Sequence, residues 1–175
     1  AGTIGVLLVD GTTQALVKNS DIESRGGIKV EATESSTVNI DAGALAVSGV
    51  AGVGITAAVT VVEQNTLASV TGNSRLDADG ATYINADSSF SQDVYAATAA
   101  AAGGAGIAGT INVVVAKGTT DAEVGTGVKI NSDTAFGGTD AQDVTLRAND
   151  SMSVDNKVGG LGVGLGGVGV GAAVD

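Results

Sequence analysis

The sequence of 175 residues predicts an all-β protein that folds as a parallel β-helix, or β-solenoid. Three observations predict this fold. Segments recur at near-constant spacing, apolar and polar residues alternate with a period of two, and turn residues separate the strand-like runs. No helical periodicity lies between the strands, which argues against a βαβ fold. We therefore expect about three repeats of 53–62 residues, stacked along one axis.

The repeats are visible in segments that align with one another along the chain. The first set, at offsets of 53 and 54, comprises residues 11–17, 64–70 and 118–124. The second set, at offsets of 54 and 62, comprises residues 30–35, 84–89 and 146–151. A third set aligns 51–56 with 105–110, and 169–174 resembles 54–59. The alignments predict a single solenoid over 1–175, with repeats at 1–53, 54–107 and 108–169 and a fourth beginning at 170–175.

Two further features concern the organisation of the chain. The longer third spacing predicts a loop insertion near Ala135 to Gln142. The first residue is Ala1 rather than Met, and we therefore expect a segment cut from a longer repeat array.

Alternation within the repeats predicts which side chains form the core. Apolar residues occupy matching alternate positions, and their neighbours are polar or charged. These apolar residues are Ile28, Val30 and Ala32, then Ile84 and Ala86, then Val144, Leu146 and Ala148. Turns are predicted at Asp10-Gly11, Thr71-Gly72-Asn73 and Asp79-Gly80. Each repeat would wind as two coils of about 27 residues or three of about 18. Three strand-like runs between glycine-rich breaks favour two coils.

Other all-β architectures fit the sequence less well. Three propeller blades do not close a ring, and the aromatic signatures of blades are missing. Sandwich strands would not return in the same order three times. The solenoid therefore remains the prediction.

The composition excludes several kinds of functional site. The chain has no Cys, and so it has no disulfide or thiolate metal site. It has no His, which removes the commonest general base and all Ser-His-Asp and Cys-His arrangements. A net charge of −11 argues against a nucleic-acid partner, because no basic patch is available for phosphates. No cofactor is expected from these residues.

One uncharged run has the length of a membrane-spanning helix. Ala96 to Ala116 carries no charge over 21 residues. The run is rich in Gly, Thr and β-branched residues, and related segments elsewhere in the chain are interrupted by charges. We therefore predict strands here and no transmembrane segment.

The most biased stretch is the glycine tract at residues 159–171, with weaker counterparts at 42–54 and 96–109. Alternation of Gly with Val or Leu leaves one face of a strand bare, so that another sheet can approach closely. We expect a thin side of the coil. The alternative is a seam for self-association between fibres, and a Lys at Gly162, Gly164 or Gly169 would then abolish association without unfolding the coil. The candidate seam residues are Gly162, Gly164, Gly166, Gly169 and Gly171.

Carboxylates in turns are the other candidate ligands. Asp77 and Asp79 lie two residues apart and could begin a calcium loop, but the full EF-hand and nonapeptide spacings are absent. Solvated turn carboxylates are the simpler interpretation. Catalytic acids for glycan cleavage would need clustered carboxylates and aromatic side chains. The chain has only four aromatic residues, which are Tyr83, Phe90, Tyr95 and Phe136.

Three motifs carry a resemblance to known proteins. They are Gly-Val-Gly-Ala-Ala-Val-Asp (169–175), a strand followed by Gly-Thr-Thr-x-Ala (118–122), and Val-Thr-Leu-x-Ala-x-Asp-Ser (144–151). The chain resembles the repeats of very large bacterial adhesins, the filamentous-haemagglutinin-like and leukotoxin-like exoproteins of type V secretion. The resemblance implies a right-handed parallel β-helix, export to the cell surface, and a role in adhesion, aggregation or biofilm matrix.

The leading functional hypothesis is a non-enzymatic, structural and adhesive segment of an extracellular bacterial fibre or stalk. Its partners would be further copies packed laterally, and host or bacterial surfaces reached through other parts of the parent protein. One alternative is a glycan- or surface-binding module, which would need one residue type recurring on a flat face. The outward pairs Lys29/Glu31, Tyr83/Asn85 and Thr145/Arg147 do not match. A less favoured alternative is a polysaccharide-degrading β-helix enzyme.

Overall fold

The computed structural model describes residues 1–133, 135, 142–166 and 168–174, and within these ranges every regular element is a β-strand. The strands are β1 (Gly2–Lys18), β2 (Asp21–Ser24), β3 (Ile28–Ser48), β4 (Ala51–Thr71), β5 (Arg75–Ala78), β6 (Thr82–Ala102), β7 (Ala105–Val124), β8 (Lys129–Ile130), β9 (Val144–Gly164) and β10 (Gly169–Val174).

The strands form three parallel sheets that stack coil upon coil. Sheet A has the order β1-β4-β7-β10, sheet B the order β2-β5-β8, and sheet C the order β3-β6-β9. Every pairing is parallel, and each strand pairs with the equivalent strand of the next coil. The chain is therefore a parallel β-helix of about three coils, which confirms the predicted fold class.

Each sequence repeat forms one coil, so the predicted two to three coils per repeat were wrong. Gly11 pairs with Gln64, and Gln64 pairs with Gly118, at the offsets found in the sequence. Val30, Ile84 and Leu146 are neighbours in the same way. The error lay in the assumed length of a coil, because the three runs between successive glycine turns are the three strands of one coil, and two of them, β4 and β6, have 21 residues each.

The coil has a flat cross-section with two long sides. Strands β4 and β6 each contain 21 residues, and at about 3.3 Å per residue each extends about 70 Å. A turn at Gly103-Gly104 joins β6 to β7 at one end of the coil. The short sheet B closes the other end. Sheets A and C therefore face each other along most of their length.

Side-chain size decreases across the interior from sheet B towards the glycine turn. The wide end holds the cluster of Ile28, Val30, Ala32, Ala68, Val70, Leu76, Ala78, Ile84 and Ala86. Val38, Val62 and Phe90 pack together in the middle of the coil. The narrow end holds only Ala46, Ala100 and Ala108. The distance between the two long sheets is thus set by the volume of the residues between them.

The predicted core wall is confirmed in the first two coils. Val30 and Ile84 are buried, with 6% and 0% of their surface exposed. Leu146 continues the same column in the third coil, yet 50% of it is exposed. Both strands, β3 and β9, are edges of sheet C, so the difference comes from the opposite sheet: β1 extends to Lys18 in the first coil, whereas the described part of β10 pairs only with residues 106–111, at the narrow end.

Two of the three predicted turns are confirmed. Residues 72–74 and 79–81 connect β4 to β5 and β5 to β6, and Gly72 has a φ of 71° that favours glycine. The turn at Asp10-Gly11 was wrong, because both residues lie within β1. Gly11 faces inward, and a Cβ there would lie 2.5 Å from Oε1 of Glu34. Gly11 thus leaves room for the Glu34 side chain and does not mark a turn.

Other sequence predictions have mixed outcomes. The uncharged run from Ala96 to Ala116 forms the end of β6, a turn and the start of β7. Gly169 pairs with Gly106, which pairs with Gly52, so the alignment of residues 169–174 with 54–59 was wrong by two residues. A shift of two keeps the same side chains facing inward, and for this reason alternation did not detect it. The predicted loop insertion lies almost entirely outside the described residues.

Candidate functional site

Asp77, the first calcium candidate, is buried beside an arginine on the outer side of sheet B. Its side chain is fully buried. Its Oδ1 accepts hydrogen bonds from the backbone N–H groups of Ser132 and Asp133, at 2.5 and 3.0 Å. Its Oδ2 lies 3.0 Å from Nε of Arg75, but without hydrogen-bond geometry, so this contact is ionic only.

Arg75 connects carboxylates from three successive coils. Its Nε donates to Asp21 at 2.9 Å, its Nη2 to Glu23 at 2.5 Å, and its Nη1 to Asp133 at 3.3 Å. The hydrogen bond to Asp21 raises the pKa of Arg75 above its usual value, and the nearby charges of Asp77 and Glu23 add to this rise. The cluster ties together the short side of the coil, where each strand contributes few backbone hydrogen bonds.

The geometry does not fit a calcium site at the predicted residues. Asp77 already has backbone donors and a guanidinium group against it, and that cation would repel Ca²⁺. Asp79 is exposed and lies in the turn after β5, where its backbone N–H donates to the carbonyl of Ser24 at the end of β2. Among the described residues, no group of three or more acidic side chains is placed to hold a metal ion.

The five candidate seam glycines all face other parts of the same chain. A Cβ on Gly162 would meet the carbonyl oxygens of Val170 and Gly106, and one on Gly164 would lie 2.5 Å from the carbonyl of Gly104. Gly166 similarly faces the carbonyl of Gly103, at 2.9 Å. Gly169 and Gly171 face the carbonyls of Gly162 and Gly160. The bare faces therefore lie within the thin side of the coil.

This placement changes what the glycine tract can do. A Lys at Gly162, Gly164 or Gly169 would collide with backbone and distort the coil, contrary to the substitution effect expected from the sequence. Self-association of the chain remains a prediction. Any surface that serves it must consist of other residues, because these glycines face the interior.

Polar side chains line the interior between the wide and narrow ends. Thr98 donates to Thr56 at 2.7 Å, and Thr110 donates to Thr98 at 3.0 Å. Gln92 donates to Thr60 at 3.1 Å. These residues are all buried and lie on facing strands of sheets A and C. Hydrogen bonds between them fix the two sheets in one register, which apolar packing alone would leave less specific.

The outer face of sheet A is divided into an apolar half and a charged half. Five successive outward positions beside the glycine turn carry no charged or polar side chain in any coil. We call this surface the apolar face, and by position it comprises Val53, Ile107 and Val170; Gly2, Ile55, Gly109 and Ala172; Ile4, Ala57, Ile111 and Val174; Val6, Val59 and Val113; and Leu8, Val61 and Val115. Val6 is 73% exposed and Val113 is 44% exposed.

The charged half begins at the next outward position along the same strands. Asp10, Glu63 and Lys117 are neighbours there, and Asp121, Glu123 and Lys18 lie farther along. Sequence analysis missed this division, although the signal was present. Val59 to Val62 and Ile111 to Val115 are almost continuously apolar, and such runs indicate a strand that is apolar on both faces.

The outer face of sheet C is apolar beside the glycine turn, where Leu45, Ala99 and Leu161 share a column, but it shows no repeating pattern towards the wide end. Lys29, Tyr83 and Thr145 are neighbours across the coils, and their chemistry differs at each step. Lys157 lies 4.8 Å from the ring centroid of Tyr95, which is a single cation–π contact. A lattice that binds glycans or ice would need one residue type in each coil, and these columns do not provide it.

Both ends of the stack present unpaired strand edges. Strands β1, β2 and β3 form one edge of the three sheets, and β10, β8 and β9 form the other. Their outward N–H and C=O groups are the kind to which another parallel strand can add. The described part of the chain contains no helix that is long and apolar enough to cross a bilayer. Comparison with protein-family models, with curated proteins and with solved structures gives no match to this chain.

Proposed function

We propose that this chain is a non-enzymatic structural segment of an extracellular bacterial fibre or stalk, which supports adhesion, aggregation or a biofilm matrix. The observation that carries the proposal is the constant register of the coils. Strands β4 and β7 pair over twenty positions without a bulge, and β3 and β6 pair over twenty-one. A coil that repeats with this regularity can be stacked many times without a change in cross-section.

The exposed edges support the same proposal. Each of the three sheets ends in an unpaired strand on both sides: β1, β2 and β3 of the first coil at one end, and at the other β8 and β9 of the third coil with β10, which begins the next coil. A further coil of the same shape would satisfy these backbone groups in all three sheets at once. Stacking on such an edge lengthens the solenoid, whereas lateral contacts widen it.

The interior is consistent with the mechanical role that we propose. Side chains inside the coil hydrogen-bond to one another, and the carboxylates around Arg75 are paired with it. The charge of the chain, −11, keeps such a solenoid soluble. The secreted location, the role in adhesion and the likeness to adhesin repeats are parts of the proposal that rest on the sequence motifs.

Addition of coils tests the proposal directly. Ten extra copies of the second coil, residues 51–104, would be inserted in tandem after residue 104. Small-angle X-ray scattering should fit a particle whose cross-section keeps its long side of about 70 Å and whose height along the stack grows by about 4.8 Å per added coil. A globular or unfolded scattering profile would refute the stalk geometry. In cells that display the chain, aggregation or adhesion should depend on the number of coils, and independence would refute the fibre role.

A further inference from the structure

The apolar face of sheet A is large enough to form a protein interface. Its five outward positions are spaced by about 6.6 Å along the strand, on three to four strands about 4.8 Å apart. The face therefore covers about 500 Å², or about 1,000 Å² for two copies, which is where specific interfaces begin. The largest apolar patch on a typical monomer covers about 300–600 Å² and is often functional, which makes this face a candidate interface.

We propose that a second copy of this chain packs against the apolar face, sheet A against sheet A, in a two-fold symmetric dimer. The face is flat, because it is formed by regular parallel pairing, and its residues are mostly β-branched. Two such faces pack about 10 Å apart, as the sheets of a β-sandwich do. A two-fold interface requires a surface that complements itself, and a uniform apolar sheet meets that requirement.

The charges on sheet A determine the direction of the two-fold axis. With the axis along the strands, the charged halves of both copies would superimpose. Each half carries four carboxylates (Asp10, Glu63, Asp121 and Glu123) against two lysines (Lys18 and Lys117), so two surfaces of net negative charge would face each other. With the axis parallel to the solenoid axis and passing through the Ala57 column, only the apolar halves overlap. The charged halves then project in opposite directions. Like charges across an interface are costly, and the second arrangement avoids them.

The chosen axis is also compatible with a fibre. Both solenoids run in the same direction, so each added coil extends the two copies together and enlarges the apolar contact. This statement about growth rests on the proposed function. The dimer itself requires only the coils described here, so its failure would leave the single-stranded stalk intact.

Light scattering during size-exclusion chromatography tests the dimer. The wild-type chain should be dimeric at micromolar concentrations. Val113→Lys should weaken association more than about 100-fold, because an unpaired charge would be buried in each half of the interface. Val6→Lys, in the same column at a 73% exposed edge position, is the second variant if the first unfolds. Thr119→Lys, outward on the same strand in the charged half, should remain dimeric.

A distance measurement tests the direction of the axis. The chain has no Cys, so Thr119→Cys carries a single nitroxide label outside the apolar face. The proposed axis places the two labels about 50 Å apart, whereas the axis along the strands places them within about 20 Å. The shorter distance would overturn the arrangement.

A monomeric wild type at 100 µM overturns the dimer, and if that monomer floats with phosphatidylcholine vesicles, the face binds lipid instead. If Val113→Lys and Val6→Lys are both still dimeric, the chain dimerises through another surface and the assignment to the apolar face is wrong.

Discussion

Thr98 on β6 donates a hydrogen bond of 2.7 Å to Thr56 on β4, across the interior between the two long sheets. Both residues are buried, and Thr110 on β7 adds a third hydroxyl by donating to Thr98 at 3.0 Å. The three side chains belong to two coils and two sheets. This chain of hydroxyls lies where the interior changes from aliphatic side chains to alanine and glycine, and it sets the register there.

Thr98→Val should destabilise the coil by about 1–2 kcal/mol, because two buried hydroxyls lose a partner while the side-chain volume is kept. Urea denaturation followed by circular dichroism measures the change. The matched control is Thr37→Val, outward and exposed on β3, which should change the free energy of unfolding by less than about 0.5 kcal/mol. Equal effects of the two substitutions would show that the buried hydroxyls do not stabilise the fold.

Gly106→Ala should destabilise the protein by about 1–3 kcal/mol. Gly106 faces sheet C, and an added Cβ would lie 2.8 Å from the carbonyl of Ala100 and also against that of Val163. Gly109, three residues along β7, faces outward with no atom within 4 Å of a new Cβ. Gly109→Ala should therefore stabilise the strand by about 0.5 kcal/mol. Urea midpoints that fall equally for both variants would contradict the thin-side assignment.

The sequence predicted the fold class and the strand register because both depend on local repetition. Gly11, Gln64 and Gly118 align by similarity alone, and these residues pair in sheet A. Repetition does not fix where a coil closes. The glycine-rich segments were interpreted as breaks between strands, and turns do lie within them at Gly49-Val50 and Gly103-Gly104, but the repeat does not show how many strands make one coil. The number of coils per repeat therefore required the structure.

The candidate sites depended on contacts between distant residues, and these were harder to predict. Asp77 was identified as a carboxylate in a turn, but its partners Ser132 and Asp133 lie in the next coil. Arg75 had no sequence motif, and its position among carboxylates follows from stacking. The apolar face was encoded in runs such as Ile111 to Val115, yet which side faces water depends on the opposite sheet.

Arg75→Gln should lower the urea midpoint, because the buried carboxylate of Asp77 loses its counterion and Asp21, Glu23 and Asp133 lose a shared donor. The difference should persist in 0.5 M NaCl, since a buried ion pair is screened less than an exposed one. Arg147→Gln is the control with the same charge change. Arg147 is 59% exposed and lies 3.8 Å from Asp87. If the two substitutions lower the urea midpoint equally, and salt removes both differences, the loss of stability comes from the change in net charge alone.

Asn112→Val should stabilise the protein by about 1 kcal/mol, because the substitution removes buried polar atoms that have no partner. Asn112 is 3% exposed, and neither its Oδ1 nor its Nδ2 makes a hydrogen bond. The equivalent inward position in the second coil is Ala58, so the fold accepts a small apolar residue there.

Thermal and urea denaturation measure the gain, with Asn39→Val on the exposed side of β3 as the control that should change stability little. A loss of stability in Asn112→Val would show that the amide has a partner in solution. The most direct source of such a partner is a further coil on the β10 edge, because that edge lies next to β7. Asn112→Val in a chain that continues after Val174 with residues 58–104 would then separate the two cases, because Val174 occupies the position of Ala57 and the added residues complete a coil on that edge. An asparagine that bonds across coils should make Asn112→Val destabilising only where a coil lies on both sides of it.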